Sequence, residues 1–255
     1  MGVRQVLTEV VARYSENKKG ALDADFVLIR YLYRPLSFFP AAVLISMGLT
    51  ANKVTVLNFA ILAAVGLLFL QGSRLYILLG AILFCVYQVL DCVDGNIARY
   101  HRRATYYGKI IDGCVDTATV LLFIPVALGY RTLAGASAWD LGLVLAVATT
   151  VAGLCNAYVT QRIAYFTLAS GATQPETERA PSRPAGGLKS LFRRLNKVYE
   201  NLITTMPVLL LAAVIFGQFP AFLFFFFVVH AGMGLCASLS KLVLVQGRLN
   251  VPREF

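Results

Sequence analysis

Four aspartates occupy two short segments of this 255-residue chain, each at the margin of a long apolar run. Asp91 and Asp94 are three residues apart, and Asp112 and Asp116 are four apart, so each pair shares one face of a helix. Isolated ionised carboxylates are costly at the edge of an apolar environment. Clustered oxygen ligands are typical of divalent-cation sites, and two such cations would neutralise four carboxylates. The spacing therefore predicts metal-assisted chemistry at a membrane surface.

The residues that follow the first aspartate pair suit a phosphate-bearing ligand. Gly95 and Ala98 carry almost no side chain, so a ligand can approach the backbone closely there. Arg99 adds a planar guanidinium that can donate two hydrogen bonds to one phosphate. Carboxylates, small residues and an arginine together predict a pyrophosphate-bearing substrate that is held by metal.

The connection between the two pairs determines whether they meet. Residues 99–107 form a short basic turn, which places the end of one apolar helix beside the start of the next. Two acidic faces that converge in this way can hold two cations about 3.5–4 Å apart. An aspartate beside the metal can also act as general base on an incoming hydroxyl, and we expect Asp116, the last of the four, to do so.

Composition indicates a membrane protein. Hydrophobic residues make up 58% of the chain and charged residues only 14%, and the mean hydropathy is +0.70. The net charge of +10 comes from basic residues at the ends of apolar runs, which favours anionic lipid and phosphate partners over nucleic acid. The five cysteines include no C-x-x-C pair, so they are interpreted as small buried hydrophobes rather than zinc ligands.

Six apolar runs are long enough to cross a hydrocarbon core, which takes about 20 helical residues. They cover residues 54–71, 75–98, 108–130, 141–170, 202–217 and 219–245, of which the fifth is the shortest. A further apolar stretch, residues 36–48, would reach only about 20 Å as a helix. With its basic start it is predicted to be an interfacial amphipathic helix within residues 29–50.

Basic residues set the expected orientation, because short cytoplasmic loops carry an excess of Lys and Arg. The connections 99–103 and 171–197 are the basic ones, whereas the opposite side receives Arg74 and Arg131. The fold prediction is therefore an all-α integral membrane protein with six spans, both termini in the cytoplasm and the aspartates facing it, in the cell (inner) membrane. Residues 1–28 and 246–255 are predicted tails. Spans 1–4 occupy 51–170, with the acidic motif at 91–116, and spans 5–6 occupy 201–245. Residues 171–200 form a flexible loop that ends in a basic amphipathic segment.

The pattern D-x-x-D-G-x-x-A-R-x8-G-x3-D-x3-D resembles the signature of the CDP-alcohol phosphotransferase (CDP-alcohol phosphatidyltransferase) family. Its eight fixed positions are filled by Asp91, Asp94, Gly95, Ala98, Arg99, Gly108, Asp112 and Asp116. Residues 34–37 and 48–55 also resemble the family's juxtamembrane helix and its G-x-x-P-N-x-x-T segment, although Ala51 replaces the usual proline. The resemblance covers about the first half of the chain.

The resemblance implies a six-helix homodimer with a cytoplasm-facing cavity for CDP and two Mg2+ or Mn2+ ions. Asp91, Asp94, Asp112 and Asp116 would bind metal, and Asp116 would also deprotonate the acceptor alcohol. The implied CDP-binding residues are Asn52, Thr55, Asp91, Gly95, Ala98, Arg99, Gly108 and Asp112. From the residues alone, Lys109, directly after Gly108 within the signature, and Arg162 in the fourth span are candidates to bind the acceptor or its phosphate, with snorkelling to the interface as the alternative for Arg162.

Three functions follow from these patterns. The first is transfer of a phosphatidyl group from CDP-diacylglycerol to a small polar alcohol with release of CMP. The alternative is transfer of a phospho-headgroup from a CDP-linked choline or ethanolamine to a lipid alcohol such as diacylglycerol. A carboxylate-lined transporter would also place acids in membrane helices but would not need glycine and arginine at these intervals. The D-x-x-x-D pairs of an intramembrane prenyltransferase do not match residues 91–99.

Overall fold

The computed structural model describes residues 2–16, 26–102, 105–135, 140–169 and 188–249, and every regular element in these ranges is helical. The helices are α1 (Val3–Glu16), α2 (Arg34–Ser46), α3 (Ala51–Leu70), α4 (Arg74–Tyr100), α5 (Tyr106–Ala118), α6 (Phe123–Ala134), α7 (Asp140–Ala169), α8 (Leu188–Thr204), α9 (Met206–Phe216), α10 (Phe219–Phe227) and α11 (Leu235–Leu249). A π-helical turn (Ile29–Tyr33) precedes α2, a 3-10 turn (Thr119–Leu122) joins α5 to α6, and a second π-helical segment (Val228–Gly234) joins α10 to α11. The C-terminal tail from residue 250 and the predicted flexible loop up to residue 187 lie outside the described residues.

Five stretches are long and apolar enough to cross a membrane. They are Ala51–Leu70, Arg74–Tyr100, Tyr107–Ala134, Leu141–Phe166 and Phe219–Leu242, with mean hydropathies from 1.7 to 2.1. A sixth is obtained if the bent pair Arg194–Thr204 and Met206–Phe216 counts as one span. The prediction of an all-helical, multi-pass membrane protein is thereby confirmed, with five to six spans.

The fifth predicted span, residues 202–217, is not one straight helix. The chain bends by 49° at Thr205, between α8 and α9. Pro207 lacks the N–H that would continue the hydrogen-bond ladder, and its ring would collide with the carbonyl one turn earlier. Both the hydroxyl and the N–H of Thr205 donate to the Leu202 carbonyl, at 2.6 and 3.1 Å. Because α9 alone is only about 16 Å long, a complete crossing must include part of α8.

The N-terminal region contains a helix that the tail prediction did not include. One face of α1 packs against α2 and the last turns of α4 through a buried apolar cluster of Val6, Val10, Ala41, Ala42, Ile45, Val54, Val93 and Ile97. The Arg13 guanidinium donates to the Tyr100 carbonyl and lies 4.8 Å from the centre of its ring. Helix α1 therefore binds the C-terminal end of the helix that carries the first aspartate pair.

Helices α3 and α4 form the antiparallel pair that organises the site. Thr55 contacts Asp94 at one end, and Phe69 packs on Gly80 at the other, where an added Cβ would lie 3.1 Å from the Phe69 ring. Gly72 makes the turn between them with a φ of +65°, a backbone conformation that favours glycine. This register places the aspartates of α4 beside the first two turns of α3.

The third span changes its helical geometry directly after the second aspartate pair. Helix α5 carries Asp112 and Asp116, and the 3-10 turn begins three residues later. The Thr119 hydroxyl donates to the Asp116 carbonyl at 2.6 Å, and Pro125 has no N–H for the Leu121 carbonyl. These two departures from the α-helical ladder account for the tighter turn between α5 and α6.

Candidate active site

Three carboxylates from two helices meet at the end of the α3–α4 pair. Asp91 on α4 and Asp112 and Asp116 on α5 each offer an oxygen within 4.8 Å of the others. Asp91 and Asp112 are half-buried, and Asp116 is exposed. Asp91 also interacts electrostatically with Asp94 and with Arg34. Oxygen ligands at this separation suit Mg2+ or Mn2+, which prefer carboxylates.

Asp94 is placed differently from the other three aspartates. It is buried, with 7% of its surface exposed, and it accepts a hydrogen bond of 2.7 Å from the Thr55 hydroxyl. It does not belong to the three-carboxylate group. The hydrogen bond orients Asp94 from α3, so one of its oxygens is already engaged by the protein.

The first turn of α5 lies close to the first turn of α3. Thr105 caps the helix, and its hydroxyl accepts a hydrogen bond of 3.0 Å from the Gly108 N–H. A Cβ added to Gly108 would lie 3.0 Å from Asn52 Oδ1, which is tighter than ordinary contact. Glycine at this position therefore lets the Asn52 amide lie beside the first turn of α5.

Arg99 folds back along its own helix. Its Nη2 donates to Asn96 Oδ1 at 2.7 Å, and a Cβ added to Gly95 would lie only 3.2 Å from the same nitrogen. Ala98 is half-buried next to it in the last turns of α4. The arginine thus lies over the small residues of the signature, where its charge faces any ligand that fills this space.

A second arginine lies close to the site and was missed by sequence reasoning. Arg34, at the start of α2, is buried and donates to the Cys92 carbonyl at 3.0 Å and to Asn96 Oδ1 at 3.2 Å. Asn96 Nδ2 donates in turn to the Ser37 hydroxyl at 2.9 Å. The available signal was an asparagine inside an apolar helix, three residues before Arg99. One amide oxygen therefore positions two guanidinium groups beside the carboxylates.

Comparison with known proteins identifies this arrangement. Residues 48–182, more than half of the 255 residues, match the CDP-alcohol phosphatidyltransferase family. The chain belongs to this family. CDP-alcohol phosphatidyltransferases are membrane enzymes of phospholipid biosynthesis that use a CDP-linked donor and an alcohol acceptor, and they generally depend on divalent metal. The family prediction from the signature is confirmed.

One relative is the CDP-diacylglycerol--glycerol-3-phosphate 3-phosphatidyltransferase of Rickettsia bellii (strain RML369-C). It is 35% identical over 69 residues, which are 27% of this chain. The aligned part spans 38% of the relative's length. The likeness is therefore local.

The CDP-alcohol phosphatidyltransferase match contains the clustered aspartates but begins after Arg34 and Ser37. Both residues belong to α2, and the packing of α2 on α4 brings them to the site. Helix α2 of this CDP-alcohol phosphatidyltransferase therefore helps to position Arg99 through Asn96.

The two candidate acceptor residues of this phosphatidyltransferase lie on different helices, α5 and α7. Lys109 is exposed in the first turn of α5. Arg162 is exposed on α7, with its guanidinium 4.8 Å from the Phe166 ring and 5.9 Å from the Tyr158 ring. Its neighbour Gln161 reaches Thr117, the residue after Asp116, at 3.5 Å. The end of α7 thus borders α5, and a role for either cation stays a prediction.

Proposed function

We propose that this chain transfers a phosphatidyl group from CDP-diacylglycerol to a small polar alcohol and releases CMP, in a reaction that needs divalent metal. The observation that carries the proposal is the convergence of Asp91, Asp112 and Asp116, with oxygens within 4.8 Å of one another. The name of the Rickettsia relative supports CDP-diacylglycerol as the donor.

The residues fit the metal that the family implies. Asp91, Asp112 and Asp116, with Asp94 beside them, would hold Mg2+ or Mn2+, for which we propose two ions. Bound there, the metal would neutralise charge on the diphosphate and stabilise the leaving CMP. Ionised carboxylates at the edge of a membrane need such compensation.

The nucleotide would occupy the space lined by the small residues of the signature. Gly95 on α4 and Gly108 on α5 have no side chain, and the Arg99 guanidinium and the Asn52 amide lie against them, where both would contact the nucleotide. The proposed CDP contacts are Asn52, Thr55, Asp91, Gly95, Ala98, Arg99, Gly108 and Asp112. Asn96 holds the Arg99 guanidinium over Gly95, beside the space proposed for the nucleotide, and its charge would compensate that of the phosphates.

The proposed transfer moves one proton and exchanges one phosphorus–oxygen bond for another. Asp116 takes the proton of the acceptor hydroxyl, whose oxygen attacks the phosphorus that carries diacylglycerol. The new phosphorus–oxygen bond forms as the bond to CMP breaks, and CMP leaves with the electron pair. Lys109 and Arg162 are the candidate contacts for the acceptor or its phosphate.

The charge pattern supports a topology for the enzyme. We propose six spans with both termini in the cytoplasm, an active site that faces the cytoplasm from the inner membrane, and a homodimer. A cytoplasmic site gives water-soluble acceptors direct access, while CDP-diacylglycerol reaches it from the membrane.

The test is a substrate panel with purified protein. CDP-diacylglycerol, CDP-choline and CDP-ethanolamine are each combined with glycerol 3-phosphate, serine, inositol phosphate and diacylglycerol, in Mg2+, Mn2+ or EDTA, and CMP and product mass are measured. We expect CMP only with CDP-diacylglycerol, a soluble alcohol and divalent metal. Product from CDP-choline and diacylglycerol would favour the alternative donor, and CMP formation in EDTA would contradict metal dependence.

Gly95→Leu should weaken CDP binding at least about tenfold, because its side chain would enter the space now shared with the Arg99 guanidinium. Binding is measured by calorimetry in detergent with Mg2+ present. Gly232→Leu is the matched control, since a Cβ there meets nothing within 4 Å. Unchanged CDP affinity in Gly95→Leu would remove this residue from the nucleotide wall.

A further inference from the structure

Two buried polar side chains, Asn58 on α3 and Tyr87 on α4, have no hydrogen-bond partner in the part of the chain that the structure describes. Their exposed fractions are 0% and 1%. Asn58 Oδ1, Asn58 Nδ2 and the Tyr87 hydroxyl have no partner among the described residues. Unpaired polar atoms are costly in an apolar interior and more so inside a membrane. Three of them on two packed helices make this region a candidate binding site for a polar ligand.

The register of α3 and α4 places these atoms directly under the carboxylates. Thr55 on α3 contacts Asp94 on α4, and the two helices are antiparallel. Asn58 lies three residues further along α3, and Asp91 lies three residues back along α4. Asn58 is therefore level with Asp91. Tyr87 lies one turn deeper than Asp91 on the same face of α4. Its hydroxyl interacts electrostatically with all four aspartates. Asn58 and Tyr87 are called the site floor below.

The side of the floor away from the carboxylates is apolar. Leu62 follows Asn58 by one turn, and the Tyr87 ring lies 5.7 Å from the Phe84 ring, centre to centre. Leu62, Phe84, Tyr87 and Val115 belong to the main hydrophobic core. In the register of α3 and α4, the floor thus lies between that core and the carboxylates, which are the nearest polar groups along both helices.

We infer that Asn58 and Tyr87 bind the hydroxyl of the acceptor alcohol, an inference that rests on the proposed function. Of the proposed CDP contacts, Gly95, Arg99 and Gly108 lie toward the α4–α5 connection, and the carboxylates of Asp91 and Asp112 lie between them and the floor. The floor is therefore nearest the side of the site that is left for the second substrate. A hydroxyl both donates and accepts hydrogen bonds, which matches an amide and a phenol together. An acyl chain would leave all three atoms unpaired. Water offers the same chemistry when the acceptor is absent.

The test uses Asn58→Leu and Tyr87→Phe, which remove the polar atoms and keep most of the volume. Kinetics are measured with CDP-diacylglycerol and glycerol 3-phosphate, with serine and inositol phosphate as further acceptors. We expect the acceptor KM to rise about tenfold in each variant, while the CDP-diacylglycerol KM and CDP affinity are unchanged. If the floor binds only water, the acceptor KM will be unchanged in both variants, and this result would overturn the inference. An equal rise in the KM values of the acceptor and of CDP-diacylglycerol would also overturn it.

Thermal unfolding without substrate separates a binding role from a structural one. Neither variant loses a hydrogen bond to a described residue, so both should melt at the wild-type temperature or above it. Tyr33→Phe is the matched control, because Tyr33 is equally buried but donates to the Thr204 carbonyl at 3.2 Å, and it should melt lower with unchanged acceptor KM. If no acceptor turns over in the wild type, the proposed function fails, and the melting temperatures alone test whether Asn58 and Tyr87 bind a ligand. A lower melting temperature in both variants would overturn that role, and a higher one would support a ligand subsite.

Discussion

Asp116→Asn should lower the rate of CMP release at least about a hundredfold, and up to about 10^4-fold, while CDP still binds. Asparagine keeps the shape of the side chain but cannot take the proton of the acceptor hydroxyl. Asp116 is the exposed member of the three-carboxylate group, and it lies one turn further than Asp112 from the α4–α5 connection, on the side where the acceptor is proposed to bind. The measurement is CMP formation from CDP-diacylglycerol with saturating acceptor, with CDP affinity determined in parallel.

Two further variants make this result specific. Glu16→Gln removes an exposed carboxylate at the end of α1 and should leave CMP release unchanged. Asp112→Asn removes a proposed metal and nucleotide ligand and should weaken CDP binding in Mg2+ as well as turnover. Near-normal turnover in Asp116→Asn would reject its assignment as the base, and a loss of CDP binding equal to that in Asp112→Asn would assign it to metal binding alone.

Gly129→Ala should destabilise the fold by at least about 3 kcal/mol, the largest stability effect we expect from one methyl group. Gly129 on α6 packs so closely on α3 that an added Cβ would overlap the carbonyl oxygen of Phe69. A backbone carbonyl cannot rotate away as a side chain can, so the two helices must separate. Thermal unfolding in detergent should show a much lower midpoint or no folded protein.

Gly66→Ala tests the same pair of helices without the overlap. Its added Cβ would lie 3.7 Å from side-chain atoms of Leu122 and Pro125, which is ordinary van der Waals contact. This variant should melt within a few degrees of the wild type. Equal destabilisation by both alanines would mean that the α3–α6 contact is less close than the structure has it.

Local patterns predicted much of the fold and part of the site. The eight signature positions identified the family because residue type and spacing are read directly from sequence. Long apolar runs predicted the membrane helices because about 20 residues suffice to cross a bilayer. Helical spacing also predicted that each aspartate pair shares a face, and the structure brings Asp91, Asp112 and Asp116 together.

Contacts between distant segments were beyond sequence reasoning. Arg34 and Asn96 are 62 residues apart, and nothing local to either indicates that they share a hydrogen bond. Spacing treats the four aspartates alike, whereas the Thr55 hydroxyl on another helix distinguishes Asp94. The break at Thr205 had a local signal in Pro207, but hydropathy averages over a window and does not register a bend.

The 3-10 turn between α5 and α6 changes which residues of the third span share a side. An α-helix advances about 100° per residue and a 3-10 helix about 120°, so four residues add a rotation of roughly 80°. A helical wheel drawn from the aspartates through Phe123 would therefore assign residues beyond the turn to the wrong quadrant. Inserting or deleting one residue in Thr119–Leu122 would change the direction in which the side chains of α6 point, while the carboxylates of α5 would keep their positions.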